Sequence, residues 1–141
     1  MSDTADPTTW TGTIRTRDGK LPDLERVRAA VRGVGAPFSL RGVEAEVVGW
    51  LGGSKEAPEL RIAGTGESVR LAPLTRKVQW DARGRKEAPV RRSERRAFER
   101  LMAGWEGSPV PVRITGPLRA APDASPLRLE VRRFRPSRGA R

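Results

Sequence analysis

Short segments in which apolar and polar residues alternate constrain the fold of this chain more than any other feature, because alternation is typical of strands with one buried face. From residue 42 onward five segments share it: residues 42–51, 60–62, 69–71, 110–115 and 127–132. Between the third and the fourth, residues 93–105 repeat apolar side chains at helical spacing. The order strand, strand, strand, helix, strand, strand predicts a mainly β protein of the α+β class.

Four stretches carry a family resemblance: VVGWL at 47–51, LRIAGTG at 60–66, VRITG at 112–116 and LRLEV at 127–131. The first two resemble the start of small bacterial OB-fold modules, and the last two resemble their closing hairpin. The resemblance implies an OB-like five-stranded barrel over residues 42–134, with one helix between strands three and four. Gly49 agrees with it, since a strongly bent first strand needs a residue without a side chain.

The residues before the barrel predict a disordered stretch at 1–9 and a strand-helix extension at 10–41. A short alternating strand at 10–16 precedes a helix that starts at Pro22 and repeats apolar residues at three- and four-residue steps. This order resembles the start of a ferredoxin-like heavy-metal-associated domain, a family with two cysteines between the first strand and the first helix. Residues 17–22 contain none, so the resemblance implies no metal function here. Two interpretations stay open, a cap on the barrel or a degenerate ferredoxin-like unit.

The excess of positive over negative charge is confined to the second half of the chain. Residues 1–70 carry 10 Lys and Arg against 10 Asp and Glu, whereas residues 71–141 carry 18 against 7, which is the whole net charge of +11. A first basic cluster spans residues 76–96, and a second spans residues 132–141, of which 135–141 are predicted to be a basic tail. Such asymmetry favours a polyanionic partner, because cations placed on phosphates release counterions.

We therefore predict a protein that contacts the phosphate backbone of RNA or DNA with little sequence specificity. The candidate binding residues come from both basic clusters: Arg76, Lys77, Trp80, Arg83, Arg85, Lys86, Arg91, Arg92, Arg95, Arg96, Arg132, Arg133 and Arg135. Trp80 is included because an aromatic ring between cations can stack on a base while the cations pair with phosphates. The chain has only 4 Trp and 3 Phe, and none lies within 58–72, the predicted second and third strands. The alternative is a protein-interaction or assembly module whose basic surface is incidental.

The loop and the helix of the second half carry further expectations. Residues 73–92 show no apolar period and are predicted to form a long exposed loop. Ser93 is expected to cap the helix, and Phe98 and Trp105 are expected to be buried on its apolar face. The pair Glu44 and Glu46 is interpreted as a solvated strand face.

Several chemistries are excluded by composition. The chain has no Cys and no His, so a Cys/His zinc site, a thiol nucleophile and an imidazole base are absent. We expect a non-catalytic protein without a cofactor or a bound metal. No secretory signal and no membrane span are visible in the sequence, which predicts a cytoplasmic location.

Overall fold

The computed structural model describes residues 24, 26–27, 29–30, 42–65, 67–81, 83–84, 86–119 and 127–137, and for Trp80 the backbone alone. In chain order the elements are β1 (Val43–Gly53), β2 (Pro58–Ile62), β3 (Ser68–Pro73), β4 (Trp80–Asp81), β5 (Lys86–Glu87), α1 (Arg92–Arg95), α2 (Ala97–Gly104), β6 (Val110–Arg119), β7 (Arg128–Val131) and β8 (Arg133–Pro136). The prediction of a mainly β fold with a helix before the last strands is confirmed.

Five strands close into a barrel. Antiparallel pairs join β1 to β2, β2 to β3 and β6 to β7, and a parallel pair joins β3 to β7. The ring closes because β1 is long enough to pair with β6 along Val43–Leu51 and with β2 from Gly49 onward. This closed five-strand barrel is compatible with the predicted OB-like fold.

Two glycines permit the closest approaches of the barrel strands. A Cβ atom on Gly49 would collide with the carbonyl oxygen of Arg61 on β2. A Cβ atom on Gly116 would collide with the carbonyl oxygen of Glu130 on β7. The bend expected at Gly49 thus has a local cause, since β1 passes from β6 to β2 where only a hydrogen atom fits.

A β-bulge separates β7 from β8, which follow one another along the same edge of β6. Leu118 lies opposite Leu129, whereas Thr115 lies opposite Arg133. Two residues of β6 therefore face three residues of the neighbouring strand, and the extra one is Arg132, whose backbone N–H donates to the Thr115 carbonyl at 3.0 Å. Bulges of this kind redirect a side chain at the bulged residue.

The core fills the barrel and the space beneath helix α2. Its buried members are Val47, Leu51, Leu60, Ile62, Val69, Leu71, Ala97, Leu101, Trp105, Val112, Ile114, Leu118, Leu129 and Val131. Trp105 is buried as predicted, and Phe98 is partly buried against the same core. On its other side α2 meets β8, where the Arg100 guanidinium lies 5.6 Å from the centre of the Phe134 ring.

The segment at 73–92 differs from the exposed loop expected there. Leu74 is buried, and residues 80–87 form the small hairpin of β4 and β5. The segment packs against the barrel because several of its polar groups form hydrogen bonds with acidic side chains of the barrel. The sequence pattern does not reveal these bonds. The helix begins at Arg92 and not after a Ser93 cap.

Two expectations about where strands begin and end also change. Val110 starts β6 but is 41% exposed, so the inward alternation begins at Val112. Strand β8 extends to Pro136, so the first two residues of the predicted tail belong to the sheet. No helix in the described part of the chain is both long and apolar enough to cross a membrane.

Five described residues fall within the predicted extension. They are helical, namely Leu24, Arg26, Val27, Ala29 and Ala30. Leu24 packs against the barrel core. The predicted strand at 10–16 and the segment at 1–9 lie outside the described residues.

Candidate nucleic-acid interface

A buried carboxylate, Glu94, joins the two basic clusters. Its Oε1 atom accepts hydrogen bonds from Lys77 Nζ at 3.0 Å and from the Arg91 backbone N–H at 2.9 Å. Its Oε2 atom accepts a hydrogen bond from Arg132 Nη1 at 3.0 Å. Since Lys77 belongs to the first cluster and Arg132 to the second, one side chain brings together segments that are far apart in the sequence.

Arg132 extends this network to strand β1. Its Nε and Nη2 atoms donate to the two carboxylate oxygens of Glu44 at 2.8 and 2.6 Å, a bidentate pair. Glu44 Oε2 also accepts from Gln79 Nε2 at 2.8 Å. Because Arg132 also donates to Glu94, the bulge links β1, helix α1 and the segment before the hairpin.

The electrostatics agree with this geometry. Burial by itself raises the pKa of Glu94, but hydrogen bonds from Arg91, Lys77 and Arg132 outweigh burial and lower that pKa to about 2. The hydrogen bonds to Glu44 raise the pKa of Arg132. Both side chains are therefore fully ionised at neutral pH.

Glu94 occupies a position at which the helix faces the barrel. It lies three residues before Ala97, the fully buried first residue of α2, and both side chains face the barrel. A carboxylate on that face must be paired to remain charged. The sequence interpretation missed Glu94, although its helical spacing from the apolar residues that follow it is the signal that could have identified it.

A second acidic centre anchors the segment that leads to the first cluster. Glu130 on β7 is fully buried and accepts hydrogen bonds from the Thr75 backbone N–H and from Arg119 Nε, each at 3.0 Å. Arg119 Nη2 in turn donates to the backbone carbonyl of Arg76 at 2.9 Å. The backbone on either side of Arg76 is thus fixed to the barrel.

Most of the described candidate cations point to solvent. The exposed ones are Arg76, Arg83, Lys86, Arg91, Arg92, Arg95, Arg96, Arg133 and Arg135. Four of them lie in helix α1 or at its two ends, close in the chain to the buried Glu94. Arg133 follows the bulged Arg132 along the chain. Exposed arginines of both clusters therefore lie next to residues that contact Glu94.

Four candidates stand apart from that exposed group. The side chains of Lys77 and Arg132 are only 9% and 13% exposed, and both are committed to ion pairs with buried carboxylates. Their charges position the segments that carry the exposed arginines. Arg85 and the side chain of Trp80 lie outside the described residues.

The two carboxylates expected to be a solvated face form ion pairs. Glu44 pairs with Arg132, as described above, and Glu46 Oε1 lies 2.6 Å from Arg113 Nη1. That hydrogen bond lowers the pKa of Glu46. Within the described residues no group of three or more Asp and Glu side chains could hold a metal ion.

Comparison with known proteins found no matching family model. No curated protein and no solved structure matches the chain. The geometry of the described residues is therefore the basis for a functional assignment.

Proposed function

We propose that this protein binds RNA or DNA through contacts between phosphates and the arginines gathered around Glu94. The observation that carries the proposal is the bridge from Lys77 through Glu94 to Arg132, which unites the two basic clusters. Each buried cation of the bridge is neutralised by a carboxylate. The exposed arginines beside them supply the positive surface.

Arginine suits this role because its guanidinium group is planar and always charged, and it can contact phosphate through two N–H groups at once. Contacts to phosphates fix the position of a protein on a nucleic acid but carry no sequence information. Binding is therefore expected to depend strongly on salt and only weakly on sequence. The same proposal includes a non-catalytic, cytoplasmic protein that needs no cofactor.

The barrel itself is proposed to be an OB-fold module. Support comes from the closed ring of five strands, with helices α1 and α2 placed between its third and fourth members. OB-folds bind oligonucleotides and oligosaccharides on one barrel face. Among those ligands the basic surface favours the polyanion.

Affinity measured against salt tests the proposal. For wild type, log K should fall linearly with log salt for a short RNA and for a single-stranded DNA, by about one unit of slope for each phosphate neutralised. Arg92→Gln and Arg95→Gln should each weaken binding about three- to tenfold at low salt and each lower the slope by about one. The control is Lys55→Gln, which removes the same charge from an exposed turn outside the proposed site.

Two outcomes would contradict the proposal: an affinity that does not change with salt, or arginine variants that behave like the control. Purification from a lysate with and without nuclease separates nucleic-acid binding from the alternative function. A protein partner that stays bound after nuclease treatment would favour the assembly module.

A further inference from the structure

Trp50 lies on the outer face of β1, away from the barrel interior. The neighbouring Leu51 and, three residues earlier, Val47 belong to the buried core, whereas Trp50 is not among the residues packed against it. Because successive residues of a strand point to opposite sides, the indole projects outward. It is half-buried there.

Cationic side chains flank this indole on both sides. On one side the strand register places Arg61 of β2 directly opposite Trp50, and Arg61 is exposed. On the other side Arg113 of β6 lies opposite Val48, one diagonal step from Trp50. Arg113 is 38% exposed and bonds Glu46 through Nη1 only, so other N–H groups of its guanidinium remain able to donate.

Space is open next to the indole on the same face. Gly52 lies two residues beyond Trp50 and so faces the same side of the strand. A Cβ atom built on Gly52 would meet nothing within 4 Å. Among the described residues, Gly52 itself thus leaves room beside the indole, next to the Glu59 side chain that the register places opposite it on β2.

The outer face continues into the proposed phosphate-binding surface. Arg113 lies opposite Arg135 on β8, and two residues further along β6 Thr115 lies opposite Arg133. Four adjacent strands, β2, β1, β6 and β8, thus carry cations or Trp50 on one side, across a width of about 14 Å at the usual strand spacing. Two acidic side chains share this face: Glu46 pairs with Arg113 and Arg135, and Glu59 of β2 lies opposite Gly52.

We propose that Trp50 stacks on a base of an unpaired nucleic-acid strand, with Arg61 and Arg113 contacting the phosphates on either side of that base. The inference deepens the proposed function and rests on it. A base within a duplex is stacked on its neighbours and cannot lie on the indole, so this site discriminates for single strands. Stacking on an aromatic ring accepts any base, which agrees with the weak sequence preference expected of the arginines.

The test compares a 12-nucleotide single-stranded DNA with the duplex of the same sequence as probes. Trp50→Leu keeps an apolar side chain but removes the ring, and it should weaken binding of the single strand about tenfold. Its affinity for the duplex should stay within twofold of wild type. Trp50→Phe should recover part of the loss, because phenylalanine still offers a ring face.

A spectroscopic signal reports the same contact. The single strand should quench tryptophan fluorescence of the wild type, and Trp50→Phe should lose the part of that quenching that comes from the Trp50 indole, while the remaining tryptophans, Trp80 among them, still emit. Equal melting temperatures of the variants and wild type establish that the fold is retained. Arg61→Gln should weaken single-strand binding more than Lys55→Gln does.

The inference is overturned if Trp50→Leu binds the single strand as tightly as wild type, or if the affinities for single strand and duplex fall together. In the first case the proposed function still holds, provided that Arg92→Gln and Arg95→Gln weaken binding. If the wild-type protein binds neither of these probes nor a short RNA at low salt, the proposed function fails as well.

Discussion

The contacts of one residue, Glu94, determine where several of the surrounding arginines lie. It is the only acidic side chain of helix α1, and its contacts decide where the four arginines around it are presented. A partnerless carboxylate at this depth would be strongly unfavourable, and so would the buried Lys77 ammonium group without it. The basic surface therefore depends on an acid.

Glu94→Gln is predicted to destabilise the protein in a pH-dependent manner. The pKa of Glu94 is about 2 in the folded state, below the ordinary 4.5, so the folded state favours the ionised form. The stabilisation is fully present above pH 4.5 and is lost progressively as the pH falls towards 2. At pH 7 we expect the free energy of unfolding to drop by on the order of 2 kcal/mol.

Urea titrations at pH 7, 5 and 3 measure this difference. The matched control is Glu99→Gln, an exposed carboxylate on helix α2, which should change stability by less than about 0.5 kcal/mol. A gap between wild type and Glu94→Gln that stays constant from pH 7 to pH 3 would contradict the assigned network.

At the scale of the element, strand β1 depends on Gly49, the residue at which it passes from β6 to β2. Gly49→Ala is predicted to cost about 2 kcal/mol or more, because its methyl group would meet the backbone of Arg61 and push β2 away. Gly52→Ala on the same strand is the control, since its methyl group enters open space. Thermal or urea denaturation of both variants suffices, and equal stabilities would refute the close approach.

Strand positions were predictable because apolar alternation is a local pattern. Buried residues such as Leu60, Leu71 and Ile114 lie where that pattern placed them. The bulge at Arg132 was not predictable, because it is defined by a register shift against β6 and not by any motif in its own strand. The same limit applies to the hairpin of β4 and β5, whose short strands are too brief to show alternation.

The basic residues of the candidate site were predictable from the sequence. Which of them stabilise the fold and which remain exposed was not. Both basic clusters were identified from charge counts, yet Lys77 and Arg132 serve the fold while Arg92 and Arg133 remain exposed. Charge patterns along a sequence cannot reveal which cation meets a buried carboxylate, because the acidic partner comes from another strand or helix.

At the scale of the whole molecule, binding and stability are predicted to be linked. The proposed surface is built on helix α1 and strand β8, which take these positions only in the folded protein, so a ligand that binds the folded state stabilises it. A nucleic acid at about 100 times its Kd should add about 2.7 kcal/mol. The melting temperature should then rise by several degrees.

Thermal scans over a series of RNA concentrations measure this effect. The double variant Arg92→Gln/Arg95→Gln should show a smaller rise at the same concentrations. A melting temperature that is unchanged at saturating RNA would argue that the bound surface lies on a part of the chain that does not contribute to folding.

The parallel pairing of β3 with β7 has a consequence for the order of folding. The hairpins of β1, β2 and β3 join neighbours in the chain, but the barrel cannot close before residues 128–131 are present. The ion pair of Glu44 likewise cannot form before Arg132, 88 residues later in the chain, has been synthesised. During synthesis on the ribosome, the residues up to Arg132 must therefore emerge before strand β1 gains all of its partners, so closure of the barrel follows the synthesis of β7.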